Sequence, residues 1–403
     1  MMGRRKNLND KFGFVEIMEY TSIGESCSVV SGGTPSRSKN QYWENGNIPW
    51  IKIGNIKSKY VNEYDELITE QGLNNSSAKL LKKGTILYTI FATLGEVGIL
   101  DIEACTNQAI AGINITDSRI TTDYLYYFLK SKKDYVNNIG RGVAQNNINL
   151  TTLKNFEIPL IDVDKQLNIV EILEKVERMI FLKEKEIEDL DLLIKARFIE
   201  MFGDAVDNPM EWKKRKLQEV VTDDCTISYG IVQTGNDQED GVPVFRPVDI
   251  VNKIPKLTEL KKTTEEISNK YKRTILKGRE LLITVRANIA DTCIIDEEFK
   301  GCNVGRGIVP IRIQEDIMVL EFLKYLLDSK HLNDDIKSKA KGITLIQLNM
   351  EDLREVELIC PPIEKQMDFV EFAKQVDKSR EEVKKSLEKT QQLYDSLMQE
   401  YFG

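Results

Sequence analysis

The sequence predicts an α+β fold, with two mixed α/β globular domains separated by two long antiparallel coiled-coil helices in a pseudo-two-fold repeat. The first observation is a helical stretch that occurs twice. Residues 164–202 and 364–402 are both long and amphipathic, and each follows a segment of similar size. Each is entered through proline (Pro159; Pro361 and Pro362), carries an early Lys-Gln pair (Lys165-Gln166, Lys365-Gln366) and closes on Phe-Gly (Phe202-Gly203, Phe402-Gly403). The second observation is that the repeat reaches into the globular segments. Residues 87–101 align without a gap to 282–296, both preceded by Lys-Gly (Lys83-Gly84, Lys277-Gly278), and 124–131 answers 322–329. The repeating unit is far too long for a solenoid, so it is a duplicated domain plus helix.

The third observation is the heptad beat of the helices. In the first, Leu173, Ile180, Ile187, Ile194 and Met201 recur every seven residues, with Val176 and Leu190 interleaved and Lys183 and Arg197 breaking the second row. In the second, Val376, Val383 and Leu397 keep the beat with Leu387, Tyr394 and Tyr401, while Arg380 and Thr390 interrupt it. A sustained 3.5-residue stripe is a coiled-coil seam. Asp162 or Asp164 suits the first N-cap and Gly203 the stop. At 1.5 Å per residue each helix runs roughly 58 Å, which is spacer length. Because a domain is compact, the second helix starts near the end of the first and returns alongside it.

The predicted order is therefore domain 1–162, helix 163–203, domain 204–362 and helix 363–403. Inside the domains, residues 85–91, 110–115, 280–285 and 307–313 are β-branched and apolar and read as strands, broken by Gly, Asn and Asp clusters. Ser31-Gly32-Gly33-Thr34-Pro35 reads as a turn with two flexible glycines and a locked proline.

Composition sets the bounds. The 403 residues contain no run of eighteen apolar residues, so no membrane span is expected, and Asn7, Asn9 and Asp10 after the basic start leave no signal peptide. Six cysteines without a C-x-x-C pair, and a single histidine, cannot assemble zinc spacing and read as free thiols in a reducing cytoplasm. The net charge of −8 is unevenly spread: residues 1–162 carry 18 basic against 17 acidic groups, 164–204 carry 7 against 11, 205–363 carry 24 against 27, and 364–403 carry 7 against 9. The acidity is concentrated in the helices. The near-neutral domains leave room for a positive face, which phosphate binding needs.

No catalytic apparatus is legible. There is no phosphate-binding G-x-x-x-x-G-K-[ST], no G-x-G-x-x-G after a strand and no amino-methyltransferase motif; Asp207-Asn208-Pro209-Met210 departs from it. The E-x-K spacing of Glu298 and Lys300 recurs on a helix as Glu382 and Lys384, where charge pairs are ordinary, and His331 reads as a surface or helix-end residue. Recognition chemistry remains. Residues 140–147 form an amide-rich loop before the strand that leads into the first helix, and 339–349 are its counterpart. Gln and Asn present a donor and an acceptor to adenine, and Arg or Lys reads guanine. An Asn-rich loop also suits plain turn chemistry. On side-chain chemistry, the DNA-contacting candidates are Thr34, Arg37, Lys39, Arg141, Gln145, Asn146 and Asn147 in the first domain. In the second they are Arg246, Arg286, Asn288, Arg306, Lys341, Thr344 and Gln347.

Over essentially its whole length the chain resembles the specificity (S) subunits of type I restriction–modification enzymes. Residues 31–37 (Ser-Gly-Gly-Thr-Pro-Ser-Arg), Tyr42-Trp43 and 46–51 (Gly-Asn-Ile-Pro-Trp-Ile) look like the opening of a target recognition domain. Residues 228–235, 241–243 and 246–250 look like a variant opening of the second such domain, which lacks the Gly-Gly-Thr-Pro form, so the two should read different sequences. The Pro and Lys-Gln entries match the family's two conserved regions. The resemblance implies a non-catalytic reader of double-stranded DNA in the cytoplasm. It also implies methyltransferase (M) subunits that pack on the helices and methylate adenine; the heptad stripe supplies the candidates for M-subunit or helix-seam contact, Leu173, Ile180, Ile187, Ile194, Val376, Val383, Leu387 and Leu397. Restriction (R) subunits add translocation and cleavage. S-adenosylmethionine, ATP and Mg²⁺ are expected on those partners and no cofactor on this chain. Two rival readings are a stand-alone modification or restriction enzyme and a coiled-coil scaffold without direct DNA readout.

Overall fold

The heptad stretches become two helices of 40 residues each, Val163–Phe202 and Ile363–Phe402. The computed structural model describes residues 6–7, 17–140, 147–250, 255–342 and 346–403. The first helix opens directly after Asp162, whose carbonyl accepts from Gln166 N (3.0 Å), so Asp162 holds the cap position and Asp164 lies in the first turn. The first helix is followed by Gly203 at φ +72°, a left-handed stop that favours glycine.

The chain forms two compact units, Met1–Glu184 with Ser386–Gly403, and Lys185–Lys385. Both boundaries fall inside the long helices, so each unit holds a globular segment and a length of each helix. In the first unit Glu177 meets Tyr394 (2.8 Å) and Lys183 meets Ser386 (2.8 Å); in the second Asp191 meets Arg380 and Phe198 meets Phe369 (ring centroids 5.4 Å). Numbers fall on one helix as they rise on the other, so the pairing is antiparallel. Leu173, Val176, Ile194 and Val376 are buried, and Ile180, Ile187, Val383, Leu387 and Leu397 are half-buried along the seam. The polar interruptions find polar partners there: Lys183 on Ser386, Arg380 on Asp191 and Asp377 (2.7 Å), and Thr390 on the Ser386 carbonyl (2.8 Å).

Each globular segment is built from the same three sheets. In the first unit Ile17–Ser22 pairs with Glu157–Leu160, and Lys6–Asn7 lies on its other edge. Ile48–Ile51 lies between Glu66–Ile68 (antiparallel) and Cys105–Thr106 (parallel). Ile86–Thr89 lies between Val97–Leu100 and Ile110–Ile115, and Tyr60–Val61 and Cys27–Ser31 extend that sheet to five strands. In the second unit the counterparts are Lys214–Lys216 with Glu357–Ile359, then Val242–Phe245 between Lys261–Thr263 and Asn303–Val304. The third sheet is Glu280–Thr284 between Thr292–Ile295 and Ile308–Ile311. The strands common to both units keep the same order, so the duplication extends to sheet topology, while Lys6–Asn7, Tyr60–Val61 and Cys27–Ser31 have no counterpart among the described strands of the second unit.

The Lys-Gln signature has a physical cause. Gln166 is fully buried; its Nε2 donates to the carbonyls of Arg119 (2.6 Å) and Ile161 (2.9 Å), and its Oε1 accepts from Thr121 N (2.9 Å). Gln366 repeats the set with Ile317 O (3.1 Å), Pro361 O (2.8 Å) and Val319 N (2.9 Å). A buried polar group is tolerated only when its partners are supplied, and here one side chain supplies three. The Phe-Gly closures are also explained. Phe202 packs among Phe198, Phe322 and Phe369, at 4.9 Å from Phe322, in the core of the second unit. Phe402 packs against Tyr124 (5.2 Å) and Phe128 (6.3 Å) in the core of the first, and its carbonyl accepts from Lys132 Nζ (2.6 Å).

Two local expectations change. Gly32 and Gly33 are buried, and neither has a positive φ. A Cβ on Gly32 would strike Thr106 and Asn107, and one on Gly33 would strike Ser77, so close approach of backbones requires glycine there, not flexibility. Residue 147 does not lead straight into a strand, because the short helix Leu150–Lys154, capped by Asn149, intervenes before Glu157–Leu160; Met350–Arg354 does the same in the second unit. Among the described residues no helix is long and apolar enough to cross a membrane.

Candidate nucleic-acid interface

The most distinctive local structure is a turn that each unit builds identically. In the first unit Thr89 N donates to Glu96 O (3.0 Å), Gly95 N to Thr89 O (3.1 Å), and Glu96 N to Thr89 Oγ1 (2.8 Å). In the second, Thr284 N donates to Asp291 O (2.9 Å), Ala290 N to Thr284 O (2.9 Å), and Asp291 N to Thr284 Oγ1 (2.9 Å). Leu94 and Ile289 anchor the turns in the cores. Ala92 and Ala287 both sit at φ +61°, and Gly95 and Ala290 at +80° and +65°. An alanine in the left-handed region costs roughly 1–2 kcal/mol, so the surrounding bonds over-determine this shape.

The turns are tied to the candidate loops by backbone pairing. Phe91 bridges Asn147, with Ile148 N on Ile90 O (3.0 Å). Arg286 bridges Gln347, with Leu348 N on Val285 O (2.9 Å), and Lys341 and Gln347 exchange backbone bonds of 2.9 and 3.0 Å. The Arg286 guanidinium donates through Nη2 to Gln347 Oε1. A third chain segment joins from below: Ile90 N donates to Ala109 O and Val285 N to Gly307 O, both 2.8 Å. These place Gln108 and Arg306, both exposed, at equivalent positions beside the turns. Thr34 donates to Gln108 (2.5 Å), and Arg306 stands 5.9 Å from the Tyr229 ring.

The structure thus gathers Arg286, Gln347, Lys341 and Arg306, with exposed Asn288 on the turn, and in the first unit Thr34 and Asn147. Three other candidates are engaged internally. Arg37 stacks 3.6 Å over Trp43 and pairs with Glu66 (2.5 Å), and Lys39 donates to Tyr42 Oη (3.0 Å). Arg246 gives both its backbone N–H (2.7 Å) and its guanidinium (2.8 and 3.0 Å) to Asp249. Arg141, Gln145, Asn146 and Thr344 lie outside the described residues. The residues missed by sequence reasoning are Phe91, Gln108 and Tyr229. The gapless alignment of 87–101 with 282–296 already set Phe91 opposite Arg286, and that was the available signal.

Other polar groups serve the scaffold. His331, on the first turn of Lys330–Ser338, pairs with Asp204 (2.5 Å), whose other oxygen accepts from Val206 N and Asp207 N (2.9 and 3.1 Å). Burial works against the Asp204 charge, but those donors and His331 hold its carboxyl below the ordinary value. The six cysteines are free thiols, and burial pushes Cys105 and Cys302 up to about 11 and Cys293 to about 12, which leaves them unreactive.

The sequence profile of the type I restriction modification DNA specificity domain matches the chain twice, at residues 16–192 and 209–392. The chain belongs to that family. As a member of the type I specificity family it is similar to the MjaIX specificity subunit of Methanocaldococcus jannaschii, 26% identical over 384 residues, covering 86% of this chain and 83% of that one. It is also similar to the EcoBI specificity subunit of Escherichia coli, 22% identical over 326 residues, covering 74% and 69%. Its fold matches a chain from a solved type I restriction–modification assembly with a TM-score of 0.64 at 19% identity, covering 96% and 97%. It matches the S subunit from M. genitalium with a TM-score of 0.54 at 15% identity, covering 100% and 99%. The two profile matches coincide with the two copies of the repeat, each of which carries one of the strained turns.

Proposed function

We propose that this type I specificity chain is the DNA-reading subunit of its enzyme. It recognises a bipartite double-stranded target and directs adenine methylation by M subunits and cleavage by R subunits. The target recognition domains are 1–162 and 204–362, each reading one half-site, and the helices 163–203 and 363–403 are the platform for M. The reading rests on one observation above all: the same tightly bonded turn occurs in both units with different side chains on its exposed tip. Arg286 and Arg306 supply the positive charge for phosphate and guanine in the second unit despite the acidic total, beside Lys341, which pairs with Asp352 (3.3 Å). Chemistry is left to the partners, with S-adenosylmethionine, ATP and Mg²⁺ bound there; the chain itself is non-catalytic. A scaffold without DNA readout would leave the two matched domains and their divergent tips without a purpose.

The test is an exchange of residues 1–150 for the equivalent segment of a related specificity subunit, followed by mapping of methylated adenines in cells that carry the M partner. One half of the recognised sequence should change while the other stays. Change in both halves, or in neither, defeats the modular reading.

A further inference from the structure

The turns after Thr89 and Thr284 have one backbone and two chemistries. Six of their hydrogen bonds correspond pairwise to within 0.2 Å, and both hold an alanine at φ +61°. A strained, over-determined turn keeps its tip rigid, and residues on rigid, exposed turns are suited to recognition. At the tip, Phe91 is 39% exposed and followed by exposed Ala92 and Thr93, whereas its counterpart Arg286 is followed by exposed Ala287 and Asn288. Since the backbones coincide, any difference in what the two turns read lies in these side chains.

We propose that this turn is the specificity-determining element of each unit, with Phe91 reading its half-site by apolar contact and Arg286 reading its own by hydrogen bonds. The assignment rests on the DNA-reading function proposed above. In the major groove the one apolar feature that distinguishes a base pair is the thymine methyl, which a phenyl ring can cover; guanine offers O6 and N7 to a guanidinium fork. Arg286 is prepared for that role. Gln347 Oε1 accepts from Nη2 and fixes the plane of the guanidinium, so Gln347 is a positioning residue whose own amide need not touch a base. In the first unit Asn147 pairs only through backbone with Phe91, as a ring without polar atoms requires.

The experiment uses the full chain co-purified with its methyltransferase partner and selection from a randomised duplex library at one fixed salt concentration. The parent is compared with Phe91→Ala, Arg286→Ala, Arg286→Lys and Gln347→Ala. Phe91→Ala should lower a thymine preference at one position of one half-site by about tenfold or more and leave the other half unchanged. Arg286→Ala and Arg286→Lys should both relax a guanine preference in the other half by a similar factor, although lysine keeps the charge. Gln347→Ala should weaken the same guanine position by less. Preferences that stay as in the parent, that change in both halves, or that fall uniformly across all sequences would overturn the proposal. A parent complex that selects no sequence would overturn the DNA-reading function itself, which separates that failure from failure of the turn.

Discussion

Replacing Gln166 by leucine keeps the volume of a fully buried side chain and deletes three hydrogen bonds, to Arg119 O, Ile161 O and from Thr121 N. Each backbone group left without a partner costs about 1–3 kcal/mol when buried. These three are partly buried, so the lower half of the range applies, about 5 kcal/mol in total, and the added apolar burial of leucine returns about 2. The net loss is about 3 kcal/mol. For a unit of some two hundred residues, each kcal/mol moves Tm by about 2–4 °C, so the transition should fall by about 6–12 °C. Scanning calorimetry on the parent and Gln166→Leu measures it, and Gln366→Leu should behave alike because its three bonds are the same. Exposed Lys365 is the control, and Lys365→Ala should shift Tm by no more than about 2 °C. If either leucine variant melts within about 1 °C of the parent, the buried glutamines are not what ties the helix entries to the domains.

Phe402→Ala removes a ring packed on Tyr124 and Phe128 and should cost about 3–5 kcal/mol, measured as a lower urea midpoint of the first unit. Glu177 accepts from Tyr127 (2.6 Å), Lys130 (2.6 Å) and Tyr394 (2.8 Å); burial opposes its charge, but Lys130 and the two hydroxyls outweigh it and hold its carboxyl below the ordinary glutamate value. A depressed folded-state pKa stabilises above the unfolded value and is lost as pH falls through the folded one. Glu177→Gln should therefore lower the urea midpoint at pH 7 and shrink the parent's decline below about pH 4.5; equal pH slopes would refute the assignment. Ala92→Gly and Ala287→Gly should leave the urea midpoint unchanged or raise it by up to about 1 kcal/mol equivalent, whereas Ala92→Val should lower it.

The helices were legible because a heptad stripe, a proline entry and a Phe-Gly exit are local signals that sum over many residues. Their starts at Val163 and Ile363 lie one residue before the amphipathic stretches 164–202 and 364–402. The globular interiors were less legible because their pairings are distant. Nothing near Ile48–Ile51 announces that Cys105–Thr106 will lie parallel to it, and a five-residue helix such as Leu150–Lys154 is too short to show a period. At the candidate interface, Arg286 and Gln347 stand out as side chains, but the bond that joins them spans 61 residues. Arg37 and Arg246 carry charge that suits DNA in the sequence but that Glu66 and Asp249 already neutralise, which only packing reveals. Phe91 was missed because an aromatic at the end of an apolar strand reads as core.

The first unit is discontinuous: Ser386–Gly403, which brings Tyr394, Met398 and Phe402 into its core, is separated from Met1–Glu184 by the whole of the second unit. During synthesis at about 5–20 residues per second, the opening segment waits roughly 10–40 s, unfinished, before those side chains arrive. The first core is thus closed by residues made only after the second unit. Until these arrive, the apolar surface that Tyr394, Met398 and Phe402 cover in the first core stays open to solvent.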